Sequence, residues 1–263
     1  MRALGFQGTE ERQNEHIAVI GSGIAGCLAA SELAGAGYNV SLIEERTSAF
    51  SGTSLRAIQA HLGGLYSGSP ETARECLDSA IEFKQALPEG LNKRNALFLV
   101  ANKSEASLAE YLEFYVGLTD YYANLPVEKQ VFGPAENFFR TLEPKDYDFA
   151  KNIEGGIATS EPGLDMPKLR TVLLRKLGRL GVTVATNTSV VGLTEQADHF
   201  VLALKQGDVV EKAKFAQVVN AGGYKARMLD HELGDRTAYN LYLKSWNIIE
   251  KPERDHPLRG CLL

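Results

Sequence analysis

Gly21-Ser22-Gly23-Ile24-Ala25-Gly26 sets three glycines in a G-x-G-x-x-G spacing, and Glu44 follows 23 residues after the first of them. These residue types at these distances suit the binding of a dinucleotide. Gly21 permits a tight turn. Gly23 has no Cβ to hold the backbone away from a pyrophosphate, and Gly26 lets a helix pack closely against a strand. The N-terminus of the helix that follows the turn points N–H groups and a positive dipole end at phosphates. A carboxylate at Glu44 can accept ribose hydroxyls and repels a 2′-phosphate, which disfavours NADP. Glu45 and Arg46 continue this segment and are grouped with it as cofactor-binding candidates.

The surrounding sequence supplies elements that can position these groups. Ile17-Ala18-Val19-Ile20 is a short apolar, β-branched run suited to a buried parallel strand. Cys27 to Ala34 reads as a helix of good formers, with Gly35 and Gly37 as candidate stops, and Asn39 to Glu44 as a second strand. Strand, glycine turn, helix, strand and acid follow in the order the motif requires. A plain βαβ unit with a glycine-rich turn and no ligand is the alternative. The motif alone does not separate FAD from NAD.

Composition narrows the function classes. The chain has 263 residues, enough for one large domain or two small ones with a substantial core. It is 44% hydrophobic and 23% charged, which excludes a disordered or collagenous chain. Its formal net charge of −5 argues against nucleic acid as the main partner. Cys27, Cys76 and Cys261 form no CxxC pair, so neither a zinc cage nor a thioredoxin-type site is expected, and no metal is. The expected setting is reducing and cytoplasmic. No apolar stretch approaches ~20 residues, so no transmembrane segment is expected.

Glu45 to Arg56 is small, polar and hydroxyl-rich, including Ser51-Gly52-Thr53-Ser54. Ala60-His61-Leu62-Gly63-Gly64-Leu65-Tyr66 follows, then a helix from Pro70 with Ser69 as its cap. An NAD dehydrogenase would normally continue with another βα unit. The glycine motif, the serine-rich stretch and the Ala60–Tyr66 stretch together resemble the FAD-dependent oxidoreductases of the D-amino-acid-oxidase superfamily. That group includes glycine oxidase and L-2-hydroxyglutarate dehydrogenase, and the Ala60–Tyr66 stretch is most similar to the hydroxyacid-dehydrogenase branch. The resemblance implies that Ser51, Gly52, Thr53 and Ser54 lie along the FAD pyrophosphate and flavin ring. It also implies that His61 occupies a place near which some members carry a histidine joined to the flavin. His61 is therefore the one catalytic candidate, with an ordinary polar residue at a turn as the alternative.

Arg94 to Ala101 reads as a strand. A long helix capped by Ser104 follows, with Leu108, Tyr111, Leu112, Tyr115 and Tyr122 on one face as core. Leu142-Glu143-Pro144 and Gly155-Gly156 are similar to the family's substrate domain. Glu143, Glu161 and Asp165 are read as structural. Lys168 to Leu180 reads as a helix with Leu169, Val172, Leu173, Leu177 and Leu180 inward and a solvated basic face that includes Arg170. Strands are expected at 182–186, 189–194, 199–204 and 208–212, with a hairpin turn at Gly207-Asp208. The buried strand Ala216 to Asn220 then ends in Ala221-Gly222-Gly223. The resemblance implies that Val190 contacts adenine through its backbone and that Ala221 and Gly222 close over the dinucleotide.

The expected fold class is α/β: a Rossmann-like FAD-binding domain with an interleaved α+β substrate domain of mostly antiparallel strands. The expected boundaries are 16–90 and 150–230 for the FAD-binding domain, 91–149 for the substrate-domain portion, and 231–263 for a truncated or irregular tail. Family members usually run about a hundred residues further, so either a longer protein or a partner chain completing the fold is expected. The implied activity is hydride transfer from a small amine, amino acid or 2-hydroxy acid to FAD. A non-catalytic FAD-binding subunit and an NAD-dependent dehydrogenase are the alternatives.

Overall fold

A computed structural model describes residues 15–52, 60–92, 96–143, 152–227 and 229. In chain order the elements are β1 (His16–Ile20), α1 (Ile24–Gly35), β2 (Asn39–Ile43), α2 (Pro70–Ala86), β3 (Leu91–Asn92), β4 (Ala96–Ala101), α3 (Leu108–Ala123), β5 (Phe139–Leu142), β6 (Ile153–Thr159), β7 (Gly163–Leu164), α4 (Met166–Arg179), β8 (Thr183–Ala185), β9 (Ser189–Glu195), β10 (Phe200–Gln206), β11 (Val209–Phe215) and β12 (Gln217–Asn220). They fall into two compact units. The described residues of the first lie within 15–52 and 166–229, those of the second within 60–165.

The first unit is built on a parallel sheet of order β12-β1-β2-β8. The apolar run of β1 sits at its centre, buried from Ile17 to Ile20. Its register pairs Ile20 with Ile43 on one side and with Asn220 on the other, so three strands end at one level. α1 covers the sheet with a face of small residues, Gly26, Cys27, Ala30 and Ser31, and packs against α4. Small side chains there let helix and sheet approach closely. α4 turns Leu169, Leu173 and Leu177 inward as its periodicity predicts, but Leu180 is 36% exposed because the helix has ended at Arg179. An antiparallel sheet of order β11-β10-β9 packs Leu193, Leu202 and Phe215 against Ala18, Ile20 and Ile43 of the parallel sheet. The strand expected at 182–186 joins the parallel sheet as β8, beside β2. The other three form the antiparallel sheet, with Gly207 at φ 61 in the β10–β11 turn.

The second unit carries an antiparallel sheet of order β4-β6-β5 and two long helices. The tyrosines of α3 are core, as their spacing predicts: Tyr111 and Tyr115 pack with Phe98, Val100 and Ile157. Tyr122 packs with Leu77 and Ile81 of α2 and with Phe138. The cap of α3 differs from expectation. Ser107, not Ser104, accepts the Glu110 N–H, and the Glu110 carboxylate accepts the Ser107 N–H in return. Ser104 instead accepts the Ala101 N–H and closes the preceding turn. Ser69 precedes α2 but makes no side-chain cap, since its hydroxyl bonds the Thr72 hydroxyl.

Residues 60–90 and 152–165, read from sequence with the nucleotide-binding half, cluster in this second unit. The reasons are local. Leu91 pairs with Leu164, the Ala60 N–H donates to the Pro162 carbonyl, and α2 packs on α3.

Candidate functional site

Because β12, β1 and β2 end at one level, their following residues converge: the Gly21 N–H donates to the Ile43 carbonyl and the Ala221 N–H to that of Ile20. Between them lies a crevice of about 610 Å³ at the carboxyl ends of the parallel strands, where open α/β sheets bind their ligands. Its walls include Gly21, Ser22, Gly23, Ile24, Ala25, Glu44, Glu45, Arg46, Gly52, Val190, Ala221 and Gly222. Twelve residues named from sequence are thus brought together in one place. Gly26 and Ser51 are not among the lining residues. Gly26 serves packing instead, since a Cβ there would stand 1.8 Å from the Gly21 carbonyl oxygen. Thr53 and Ser54 lie outside the described residues.

The glycine turn has the form the motif predicts. Gly21 has φ +92, and a Cβ there would meet the Ala221 carbonyl oxygen at 2.5 Å. Gly23 is the N-cap of α1, with φ −67 and ψ −174, and it brings no side-chain oxygen to the first turn. That turn also holds no acidic residue. A helix start without a side-chain cap and without negative charge suits an anionic ligand. The residues present therefore fit the diphosphate of a dinucleotide.

Glu44 is only 8% exposed and is held from two sides. One carboxylate oxygen accepts the Ser22 N–H at 3.1 Å and the Ser22 hydroxyl; the other accepts the Arg46 N–H at 2.8 Å. The acid read as a ribose acceptor thus also ties the glycine turn to the end of β2. Behind the turn, Cys27 is fully buried with its thiol toward the Ser22 carbonyl. Burial, and then the negative charge of Glu44, push that thiol up to about 12.

The loop after β2 is fixed by Phe50 and Arg170. Phe50 is fully buried at φ 55, and its N–H points at the Ser22 carbonyl and hydroxyl oxygens. Arg170 on α4 donates to the Ala49 carbonyl at 3.1 Å and to the Ser48 hydroxyl. Its sequence reading as part of a solvated basic face is corrected: α4 points this guanidinium at the loop. On the facing wall the β9–β10 register shifts, with Gly192 opposite Ala203 and Val190 opposite Leu204. Val191 is the extra residue of a bulge, and bulges re-aim chains beside sites. Sequence reasoning also missed Thr188, Tyr224 and Lys225, all of which line the crevice. Only the glycines before Tyr224 signalled a close approach there.

His61 belongs to the second unit, in a segment clamped at both backbone groups of Gly64. The Gly64 N–H donates to the buried Glu161 carboxylate at 3.2 Å, and its carbonyl accepts the Tyr111 hydroxyl at 2.6 Å. Gly63 has φ +96, and a Cβ there would lie 2.3 Å from the Ala73 carbonyl oxygen. Burial first, and then the Glu161 charge, hold the Tyr111 and Tyr115 phenols well above their ordinary range, so both stay protonated. Among the described residues, no group of three or more His, Cys, Asp or Glu is placed to hold a metal ion. No described helix is long and apolar enough to cross a membrane.

Comparison with known proteins agrees with this geometry. The chain is 26% identical over 221 residues to the FAD-dependent monooxygenase kojA of Aspergillus flavus, covering 83% of this chain and 48% of that protein. It thus spans about half the length of the curated relatives it matches. Its fold is similar to L-proline dehydrogenase from P. horikoshii, with TM-score 0.59, 20% identity, and 85% and 57% of the two chains covered. It is also similar to glycine oxidase from Geobacillus kaustophilus, with TM-score 0.59, 18% identity, and 84% and 59% covered. Residues 16–259 match the FAD dependent oxidoreductase family, DAO, whose description names FAD rather than NAD as the dinucleotide. With that match over most of its length, the chain belongs to the DAO family of FAD dependent oxidoreductases.

Proposed function

We propose that the crevice of the first unit holds FAD and that the chain is part of an oxidoreductase acting on a small amine, amino acid or 2-hydroxy acid. The observation that carries this reading is the meeting of the Gly21 turn, Glu44 and Ala221-Gly222 around one crevice at the ends of three parallel strands. When bound, FAD supplies the ring that takes up a hydride from a C–H bond beside an amine or hydroxyl.

The chain's own residues bind and orient. The first turn of α1 and the Gly23 backbone hold the diphosphate. Glu44 keeps a lone pair beyond its three protein donors and accepts a ribose hydroxyl with it. The backbone around Val190 receives the adenine, and Ala221-Gly222 close the opposite side. Ser51 and Gly52 are assigned to the flavin side of the dinucleotide. His61, on a segment braced by Glu161 and Tyr111, is the residue assigned to meet the flavin. The two described cysteines, Cys27 and Cys76, are free thiols, in keeping with a reducing compartment such as the cytoplasm.

The test is the visible spectrum of the purified chain, followed anaerobically as amines, amino acids and 2-hydroxy acids are added. A yellow protein that one of these substrates bleaches supports the reading, and a colourless protein that takes up no FAD overturns it. Gly23→Val should fold yet lose FAD, because φ −67 suits any residue while the new side chain fills the phosphate's place. Acid precipitation tests His61: colour that stays with the pellet marks a covalent flavin.

A second reading is a non-catalytic FAD-binding subunit completed by a partner chain. A yellow protein that no substrate bleaches supports it.

A further inference from the structure

The two strands that flank β1 end in residues of opposite charge. Glu45 follows β2, and Lys225 lies in a short turn after β12. Because β12 and β2 run parallel to β1 on either side of it, side chains that meet from their two ends must pass across the turn at the end of β1. They do meet: Lys225 Nζ lies 2.8 and 2.7 Å from the two Glu45 carboxylate oxygens. Both residues line the crevice, and both stay partly open to solvent, 40% for Glu45 and 44% for Lys225. Neither residue is needed to hold the sheet, whose strands pair through their backbones. The ion pair is therefore a connection across the mouth of the crevice, made by side chains that can part without disturbing the fold.

We infer that Lys225 is a cofactor-retaining residue, and that with Glu45 it forms a clasp that opens to admit the dinucleotide and re-forms once it is seated. The inference rests on the reading of this crevice as the FAD site. A pair this exposed adds little to folding. Its effect falls on the rate at which a seated ligand leaves, because the pair must break before the ligand can pass. The carboxylate also sets the resting place of the lysine. Without Glu45 the ammonium turns to solvent or to the phosphates, and the mouth stays open. Arg46, the other cation lining the crevice among the described residues, lies beside Gly52, with Nε 3.6 Å from where a Gly52 Cβ would stand, and its charge acts on Lys225 against that of Glu45.

The experiment measures FAD release from the full chain, reconstituted with FAD and diluted so far that released FAD does not rebind, by the recovery of flavin fluorescence. The wild type, Glu45→Gln, Lys225→Gln and the charge swap Glu45→Lys/Lys225→Glu are compared at low and high salt. The clasp predicts that both single variants release FAD about two- to fivefold faster at low salt, the scale of an exposed ion pair. It also predicts that salt speeds the wild type toward the variants and that the swap restores slow release. If Lys225→Gln speeds release while Glu45→Gln slows it, the lysine serves the phosphates directly and the clasp is overturned. Equal release rates in all four proteins overturn it too and leave the FAD site standing. A wild type that binds no FAD overturns both the clasp and the reading beneath it.

Discussion

Ser22 gives both its backbone N–H and its hydroxyl to one oxygen of Glu44, across a gap of 22 residues, and the other Glu44 oxygen takes the Arg46 N–H. The acid at the end of the second strand therefore builds the turn at the end of the first. On the proposed reading, nucleotide affinity and the stability of the nucleotide-free protein share this carboxylate.

Glu44→Ala should accordingly weaken both. It leaves the buried Ser22 N–H without an acceptor, at about 1–3 kcal/mol, and removes the proposed ribose acceptor. Ser22→Ala deletes the hydroxyl's bond to Glu44 and its share of the Phe50 N–H, which keeps the Ser22 carbonyl, and should cost less, about 1–2 kcal/mol. Urea unfolding of FAD-free protein, beside FAD titration, checks the pair. Equal stability for Glu44→Ala and wild type would contradict this account.

Two glycines of α1 should behave oppositely. A Cβ at Gly26 would stand 1.8 Å from the Gly21 carbonyl oxygen, so Gly26→Ala should cost about 3 kcal/mol or more. Gly35 has nothing within 4 Å of its Cβ position, and Gly35→Ala should add about 0.5–1 kcal/mol by limiting the unfolded chain. Denaturation midpoints of the two variants should fall on either side of the wild type.

Thiol reactivity should report burial. With its thiol pushed up to about 12, Cys27 holds only roughly one part in 10⁴ of thiolate at pH 8. Iodoacetamide followed by peptide mapping should leave Cys27 unmodified in native protein and label it in urea. Cys76 is only partly buried and should react first of the two.

Acid should weaken the first unit through His16. Its ring bonds the Ser41 hydroxyl at 2.8 Å and packs on Phe215, and burial lowers its pKa below 6.5. The unfolded chain therefore takes up the proton before the folded one does. This contribution to stability is whole at pH 7.5, falls as pH drops through 6.5, and levels off below the folded value. The difference in urea midpoint between wild type and His16→Gln should narrow between pH 7.5 and pH 5.

In the second unit, Gly64→Ala would set a methyl 1.8 Å from the Tyr115 hydroxyl oxygen and 2.9 Å from a Glu161 oxygen. The substitution should cost several kcal/mol, on the order of 3. Trimming the hydroxyl with Tyr115→Phe should recover part of that cost. A double-mutant cycle followed by thermal unfolding measures the coupling, and strict additivity would contradict the crowding.

The first half of the crevice was legible because its signals are local. A β-branched run, glycines at fixed offsets and an acid at a strand end each state their role within a few residues. The strands at 189–215 were legible from the turn at Gly207 and their apolar patterning. Lys225 and Tyr224 carried no such signal, since they reach the crevice only through the parallel register that sets Asn220 level with Ile20. Val191 depends on a bulge, which one strand's sequence does not announce. Arg170 reads as one more cation on an amphipathic helix until the loop it serves is seen. Ser107-x-x-Glu110, by contrast, is a readable capping box that lost to Ser104 only because the helix was expected to start earlier. The boundaries at 90 and 150 followed the order of motifs, whereas the pairing of Leu91 with Leu164 binds distant segments that no motif connects.

Phe50 ties these threads together. Its ring is wholly enclosed, its backbone is left-handed at a cost of roughly 1–2 kcal/mol for a residue with a Cβ, and its amide proton points at Ser22. Strain of that kind persists only while the neighbours hold it. The nucleotide turn and the loop that follows β2 consequently loosen together. Deuterium uptake at the Phe50 amide is thus a built-in gauge of how often the crevice comes apart, readable with or without flavin.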